Sequence, residues 1–528
     1  MQLLLIAPLP SALTEYSVLA DNGQRIARIA AVSIATVAAL APPDFDVRLC
    51  DEAIDPIDFA TDADVIGISA NVSQALRAIE IAEAFRDRGK IVVMGGPHVS
   101  LAPDVFPGHA DCLVVGEFEP IAETVFTDMR RVTLQPRYDG TKADLCLSPV
   151  PRWDLYPNAK AIGGVVQTSR GCPFECQFCD VIPYLGRVQR HKDDDQVIAE
   201  IQNLYDHGYR FISLADDNFT VYRRRAKSLL ERIAAWNGAE GRDHVFFATQ
   251  MSIDAGRDDE LLALCHRAGL LNAFIGIETS NRDNLKENRK RQNLVVDLGH
   301  EIRKIVRRGL QVEAALMVGF DHDDRSAFAR QLAFAMSLPV CVFNVSVLVA
   351  PTATPLYAAM RAQGRLVSDQ LSSQFPSANL ITNLVPALMS REDLYIGAKW
   401  LISKIMTPAN FLLRLEAMIQ LLAPPPWSER GLTKRDGRAG AAKLFSRVLR
   451  GMMRSDEHVA HVVRRVFTLI RERPELRDSI GDAFSHYLMT LQSYQVNGVY
   501  DRELADLDAP PFDQTAASSW RADLPAYA

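Results

Sequence analysis

Between Arg170 and Cys179 the chain reads RGCPFECQFC, which sets Cys172, Cys176 and Cys179 at spacings of four and three. A thiolate is a metal ligand, and a structural zinc site closes its tetrahedron with four nitrogen or sulfur donors. This segment offers three donors on a loop opened by Gly171 and Pro173, and the nearest downstream histidine, His191, has no ligand-like partner in sequence. Three thiolates with one position left open suit an iron–sulfur cluster that must bind something else at its last metal. The other cysteines (Cys50, Cys112, Cys146, Cys265 and Cys341) are scattered, as in a large reduced protein rather than a disulfide framework.

Such a loop needs a scaffold. The 528 residues are 48% apolar and 23% charged with a net charge of −7, which allows two or three globular domains and gives no global nucleic-acid footprint. MQLLLIAPLP has no basic leader and is broken by Pro8 and Pro10, so it reads as a buried strand rather than a signal peptide. No run approaches the roughly 20 apolar residues of a spanning helix, and a cytoplasmic location is expected. Residues 1–130 alternate β-rich runs (LLLIAP, DVRLC, DVIGIS, KIVVMGG, DCLVVGE) with helical patterns such as ARIAAVSIATVAALA. That is the signature of a doubly wound α/β domain with a parallel sheet, whose ligands bind at the strand carboxyl ends. Residues 131–160 form a connector rich in Pro, Asp and Arg. Over 161–370, GVVQTS, RFISLADD, VFFATQMS, AFIGIET, VEAALMVGF and FNVSVLVAP predict six strands separated by amphipathic helices, a partial βα barrel. The cysteines follow the first of these strands and so belong at the barrel mouth. Residues 371–505 read as a helical domain and 506–528 as a loose tail.

With Phe178 before the last cysteine, and the triplet directly after the first barrel strand, the sequence resembles the radical S-adenosylmethionine superfamily. The resemblance implies that Cys172, Cys176 and Cys179 bind three irons of a [4Fe–4S] cluster. The fourth iron would chelate S-adenosylmethionine, whose reductive cleavage gives a 5′-deoxyadenosyl radical. It also implies cofactor contacts at the barrel mouth from Asp216 and Asp217 in SLADDNFT and from Glu278 and Ser280 in GIETSN, against the plainer reading that strand-end acids are helix caps. VAPTATPL resembles the last-strand loop of the family.

The N-terminal domain resembles the cobalamin-binding domain of cobalamin-dependent members. The matching segments are GGPHVSLAPDVF and ADCLVVGEFEP, which make Ser69, Asn71, Gly95, Gly96, His98, Gly116 and Glu117 candidate contacts, the glycines by letting backbone approach a flat ligand. The loop after the first strand lacks the D-x-H-x-x-G of many cobalamin proteins, so a cobalt without a protein histidine is expected, and His98 reads as a turn or rim residue. Three N-terminal cysteines (Cys50, Cys112 and Cys146) raise the rival of a methylthiotransferase, but the first two sit inside strand runs.

Residues 371–528 resemble the helical extension of the branch that includes hopanoid C-2 methylases. The segment Arg430–Arg454 carries Arg430, Lys434, Arg435, Arg438, Lys443, Arg447, Arg450 and Arg454 among apolar residues. This is a pattern for peripheral membrane contact, weighed against the commoner one of a solvated face packed on its own domain. The expectation is an enzyme that moves a methyl group from methylcobalamin to an unactivated carbon of a small or lipid-like substrate. It would be served by a flavodoxin- or ferredoxin-like electron donor. The alternatives are a non-methylating radical cyclase or rearrangement enzyme and a cobalamin-binding sensor.

Overall fold

The computed structural model describes residues 1–10, 18–21, 24–367, 380–428 and 439–512. The chain enters through β1 (Gln2–Ala7), then departs as the antiparallel hairpin β2 (Val18–Asp21) and β3 (Gln24–Ile29). It returns through the helix Val32–Leu40 to β4 (Asp46–Asp51), β5 (Val65–Ser69), β6 (Ile91–Gly95), β7 (Cys112–Gly116) and β8 (Arg137–Gly140). These strands form a wholly parallel sheet in the order β4-β1-β5-β6-β7-β8. The order reverses between β1 and β5, which opens a crevice at their carboxyl ends. On one face Ile66, Ile68 and Val92 pack under Ala78, Ile81 and Phe85 of the helix Ala75–Arg86. On the other, Leu3, Leu5 and Val114 meet Ile34 of the helix Val32–Leu40 and Val125 and Phe126 of the helix Ala122–Arg131.

The second sheet begins with β9 (Ala161–Val166). Two short antiparallel strands, β10 (Ser169–Arg170) and β11 (Arg190–His191), then pinch the base of the cysteine loop. The sheet continues through β12 (Phe211–Leu214), β13 (Phe246–Gln250), β14 (Leu270–Glu278), β15 (Gln311–Val318) and β16 (Val342–Val347), all parallel. The six expected barrel strands are all present. Two more come from the N-terminus, since β3 pairs in parallel with β9 and the order is β16-β15-β14-β13-β12-β9-β3-β2.

Three segments differ from the sequence reading. ARIAAVSIATVAALA keeps helical spacing throughout, yet its helix starts at Val32. Ala27 and Ile29 stay extended because they pair with Ala161 and Gly163 of β9, a partner invisible to local periodicity. Val18–Asp21 and Gln24–Ile29, inside the span read as the first domain, therefore belong to the barrel sheet, while Arg137–Gly140, inside the connector, forms the edge strand of the first sheet.

The C-terminal helices close the barrel. The helix Arg391–Ile405, started by a Ser390–Asp393 capping box, is buried on nearly every side. The helix Arg477–Val496 touches both edge strands, β16 and β2, and so spans the gap in the open barrel. In the helix Pro408–Leu421 the fully buried Arg414 donates to the carbonyls of Val340 (2.9 Å) and Ile405 (2.9 Å), tying this layer to the end of the barrel. The basic helix Ala439–Ser455 buries Leu444, Val448 and Met452 against the chain and leaves Lys443, Arg450 and Arg454 exposed. Arg430, Lys434, Arg435 and Arg438 lie outside the described residues, as do residues 513–528 of the tail. Among the described residues, no helix is long and apolar enough to cross a membrane.

Gly116 ends β7 at φ +86°, and a Cβ there would overlap the carbonyl oxygen of Gly140 on the neighbouring strand. Gly116→Ala should therefore cost more than about 1 kcal/mol, because it combines backbone strain with a backbone clash. Urea unfolding against the wild type measures this, and an unchanged midpoint would contradict it.

Candidate functional site

The cysteine loop leaves β10 at Gly171, whose φ of +100° and close approach to the carbonyls of Gly186 and Val188 admit only glycine. The loop is fixed from several sides. The amide of Cys172 donates to Gly186 O (3.2 Å) and that of Gln177 to Asn288 O (3.1 Å), while Gln177 O accepts from the amide of Leu356 in the helix Pro355–Ala362 that follows β16. Gln292 Nε2 lies 3.6 Å from Cys176 Sγ. Phe178 packs edge-on to Phe320, with ring centroids 6.2 Å apart. Burial pushes the Cys172 thiol up to about 11 and the Cys179 thiol up to about 12. Thiols held protonated in this way ionise readily only when a metal or a nearby cation stabilises the thiolate.

That cation is Lys290, buried, ion-paired to Glu278 and 5.8 Å from the Phe178 ring. Burial would pull its ammonium down, but Glu278 and the thiols of Cys176 and Cys179 hold it above its ordinary value. Glu278 is reached by a slip in the β14–β15 register and sits at φ +64°, a conformation costing a non-glycine residue about 1–3 kcal/mol. Ser280 is turned away, its amide and hydroxyl both 3.2 Å from Gln331 Oε1.

The two adjacent aspartates separate in role. Asp216 is buried and accepts from the amides of Thr168 (2.7 Å) and Ser169 (2.8 Å) and from the Thr168 hydroxyl (2.5 Å), so it locks the root of the loop. Asp217 accepts from the Gly171 amide at 2.8 Å. Burial, reinforced by Asp216 and Asp180, raises its carboxyl to about 6.

The crevice of the first sheet forms a cavity of about 290 Å³. Ser69, Gly95, Gly96, Gly116 and Glu117 line it. Its inner wall is apolar (Leu5, Val37, Val93, Val114, Phe126 and Met129), and its far wall is Gln167, Arg170, Tyr184 and Leu185, from the stem and flank of the cysteine loop. Asn71 is occupied as a helix cap, accepting from Gln74 N and the Ser73 hydroxyl. His98 is buried with its ring 5.8 Å from Phe106, and the cavity walls do not include it. Gly96 has φ +105° and presses on the backbone of Ala70, so its missing Cβ serves the sheet rather than a ligand.

Glu117 joins the two sites. Its side chain is 2% exposed and carries Arg170 at 2.8 Å and Arg190 at 2.6 Å, with the Ala143 amide at 3.1 Å. Arg170 also reaches Glu119 at 2.6 Å and Gln167 Oε1 at 2.7 Å. Burial alone would raise the Glu117 carboxyl, but Arg190 and Arg170 hold it below the usual carboxylate range. Sequence reasoning missed Arg170, Arg190 and Lys290. Arg170 stands beside the motif it supports, and Lys290 lies in the basic run RKR just beyond GIETSN, but nothing in the sequence shows which acid each meets.

Among the described residues, no three His, Cys, Asp or Glu side chains converge on a point that a single metal ion could take. The donor set suits a multi-metal cluster instead: three thiols on one rigid loop, each free to engage a separate metal, beside a buried ammonium that offsets their negative charge.

A parallel open sheet joined to a partial βα barrel with three thiols at its mouth defines a cofactor-using radical enzyme architecture. Residues 166–333 match the radical SAM superfamily model. An uncharacterised methyltransferase of Synechocystis sp. is 30% identical over 80% of this chain and 80% of its own length. The hopanoid C-2 methylase of Rhodopseudomonas palustris is 29% identical over 63% of this chain and 64% of its length. A bacteriochlorophyllide d C-12(1)-methyltransferase of Chlorobaculum tepidum is 25% identical over 67% of this chain and 77% of its own. The fold is shared with the cobalamin-dependent S-adenosylmethionine radical enzyme OxsB (TM-score 0.57, 14% identity, 94% of this chain and 80% of that one). It is also shared with the radical S-adenosylmethionine methyltransferase TsrM of Kitasatospora setae (TM-score 0.54, 16% identity, 69% of this chain and 78% of that one). The chain belongs to the family of the Synechocystis protein, with a radical S-adenosylmethionine domain over residues 166–333, and its homologues include the hopanoid C-2 methylase.

Removing one partner of a buried ion pair strands the other charge. Glu117→Ala should therefore cost about 3 kcal/mol or more. Because the folded-state carboxyl is depressed, its contribution is complete at neutral pH and fades as pH falls through the folded value. The gap between wild type and variant should begin to narrow between pH 7 and pH 4 and go on narrowing as the pH falls further, and a gap that stays constant with pH would contradict the assignment.

Proposed function

We propose that this chain is a cobalamin-dependent radical S-adenosylmethionine methyltransferase that places a methyl group on an unactivated carbon of a small or lipid-like molecule. The observation that carries this reading is the shared wall. Arg170, the residue before Gly171 and Cys172, lines the first-sheet cavity while its guanidinium is fixed by Glu117 of that cavity. A ligand at the sheet ends and one at the cysteine loop would thus face each other across a single side-chain layer. The methyltransferase relatives support the same reading.

Cys172, Cys176 and Cys179 would hold a [4Fe–4S] cluster, with Asp217 and Glu278 at its rim for S-adenosylmethionine. Ser69, Gly95 and the apolar inner wall of the cavity would take the corrin. When bound, these groups supply a methyl donor and a carbon radical generator. The protein's share is positional. Asp216 and Asp217 fix the loop, Lys290 holds positive charge beside the thiols, Phe178 and Phe320 exclude water, and the Glu117–Arg170 link sets the distance between the sites. The reductant would be a small electron-donor protein of the flavodoxin or ferredoxin type.

Anaerobic reconstitution tests this reading. The wild type should take up iron and sulfide, carry cobalamin with its visible spectrum, and form both 5′-deoxyadenosine and S-adenosylhomocysteine. Cys172→Ala should lose 5′-deoxyadenosine formation at least about a hundredfold. Deoxyadenosine without S-adenosylhomocysteine would point instead to a non-methylating enzyme such as the magnesium-protoporphyrin monomethyl ester cyclases, one of which matches 43% of this chain at 27% identity.

A further inference from the structure

Between Lys443 and Arg471 the sequence carries seven lysines and arginines against two acids, Asp456 and Glu457, in a chain whose net charge is −7. They fall on two consecutive helices, Ala439–Ser455 and Glu457–Glu472, which pack on each other. Asp456 is spent at the junction, where its side chain accepts from the amides of His458 (2.8 Å) and Val459 (3.4 Å). Two of the seven cations fix the helices to the rest of the chain. Arg447 donates to Gln24 Oε1 at 2.7 Å, which holds the first helix on the β2–β3 hairpin. Arg465 pairs with Glu416 at 2.8 Å, which holds the second on the helix Pro408–Leu421. The other five, Lys443, Arg450, Arg454, Arg464 and Arg471, are exposed.

Helical spacing sorts these residues into faces. On the first helix Lys443, Ser446, Arg450 and Arg454 recur every three or four positions and form one outward stripe. At the usual rise per residue it is about 16 Å long. Leu444, Val448 and Met452 are buried on the far side. Between the two faces runs a third stripe, Phe445, Leu449 and Met453, only half-buried and bordering the charges through Ser446. The second helix repeats the plan. Val459, Val462, Val463, Val466 and Leu469 are buried, while His458, His461, Arg464 and Arg471 face out. Phe467 stands 55% exposed, three positions from Arg464 and four from Arg471, beside the basic stripe. An ordinary solvated helix face intersperses both signs of charge. Here the exposed acids stand only at the two ends of the second helix, Glu457 and Glu472.

We infer that the outer face of these two helices docks on an anionic phospholipid bilayer, with the five exposed cations against lipid phosphates and Phe467 in the headgroup layer. A basic stripe of one sign flanked by aromatic and aliphatic side chains is the pattern of a helix that lies in the plane of a membrane surface. The half-buried Phe445, Leu449 and Met453 decide between anionic partners. They border the charges with apolar surface, which the acyl boundary of a bilayer covers and a polyanion such as RNA leaves wet. Charge also sets the orientation. The chain as a whole is acidic and is repelled by an anionic leaflet, so only the basic face can approach it. Arg447 and Arg465 keep that face rigid, so little order has to be gained on docking. Among the described residues no helix can cross a membrane, and the contact is peripheral. This inference goes beyond the methyl-transfer reading and does not depend on it.

The test is flotation of the full chain with lipid vesicles, either pure phosphatidylcholine or phosphatidylcholine with about 30% phosphatidylglycerol as the anionic lipid. The wild type should bind the anionic vesicles about tenfold or more tightly than the neutral ones, and raising the salt from about 0.1 M to about 1 M should remove the preference. Arg450→Ala combined with Arg454→Ala should weaken anionic binding about tenfold or more, at about fivefold for each cation removed. Phe467→Ser changes no charge and should weaken it about threefold or more; it decides the matter if the arginine variant does not fold, as read by circular dichroism. Arg137→Ala combined with Arg152→Ala removes the same charge from the first sheet and the connector and should leave vesicle binding unchanged. Equal binding to both vesicles overturns the inference, and so does an equal loss in the two double variants or indifference to Phe467→Ser. Binding of a short RNA duplex through Arg450 and Arg454 without vesicle binding also overturns it, and assigns the face to a nucleic acid. The vesicle assay needs neither cluster nor S-adenosylmethionine, so its failure leaves the methyl-transfer reading standing, and absence of S-adenosylhomocysteine formation leaves the docking face standing.

Discussion

Glu117 is held at the carboxyl end of β7 between two guanidinium groups that belong to the β10–β11 pair at the stem of the cysteine loop. Burying a carboxylate costs several kcal/mol unless its charge and lone pairs are met, and here Arg170, Arg190 and the Ala143 amide meet them. Those partners exist only when the first sheet, the connector and the stem of the cysteine loop are all in place. The bridge therefore does more for specificity than for raw stability. It selects one docking of two domains that could otherwise slide, and it sets the cavity at the first sheet against the loop of the second. The hairpin β2–β3 reinforces the same arrangement through the backbone, since the chain leaves the first sheet to pair with β9 and then returns.

Around the cysteine loop, charge is matched locally rather than left to solvent. Asp216 is spent on the amides at the end of β9, Asp217 on the amide of Gly171, and Glu278 on Lys290. The strained backbone at Glu278 and the left-handed Gly171 sit on either side of the loop. Strain of this kind persists only where the surroundings overdetermine it, and it marks a site whose geometry is fixed before any ligand arrives. The thiols are kept protonated by burial yet face a buried ammonium, so they are poised to release their protons on binding metal.

Much of this was legible in the sequence. The two rounds of strand and helix, the six barrel strands and the position of the cysteines at the mouth follow from hydrophobic period and turn residues, because those signals act within a few residues of chain. The residues that complete the site were not legible. Glu117 lines the first-sheet cavity as expected, but its pairing with Arg170 and Arg190 was not visible in the sequence. Asn71 proved to be a helix cap and His98 a packed core ring. Residues 27–29 carry a helical pattern but form a strand, because the free energy of pairing with a strand more than 130 positions away exceeds the small propensity that local spacing reports.

What the sequence determined by itself was the chemistry available: three thiols at a fixed spacing on a glycine-opened turn after a strand, in a chain whose periodicity can only close as two parallel sheets. What the tertiary structure alone decided was which charges meet and what space remains. Pairings such as Glu117 with Arg170, Glu278 with Lys290, and Glu313 with Asn344 and His486 join residues on different strands and helices, at separations of up to 173 positions between Glu313 and His486. Period-two alternation marks one strand face as buried, but only the helix Arg477–Val496, which touches the edge strands β16 and β2, determines how the open edge of the sheet is covered.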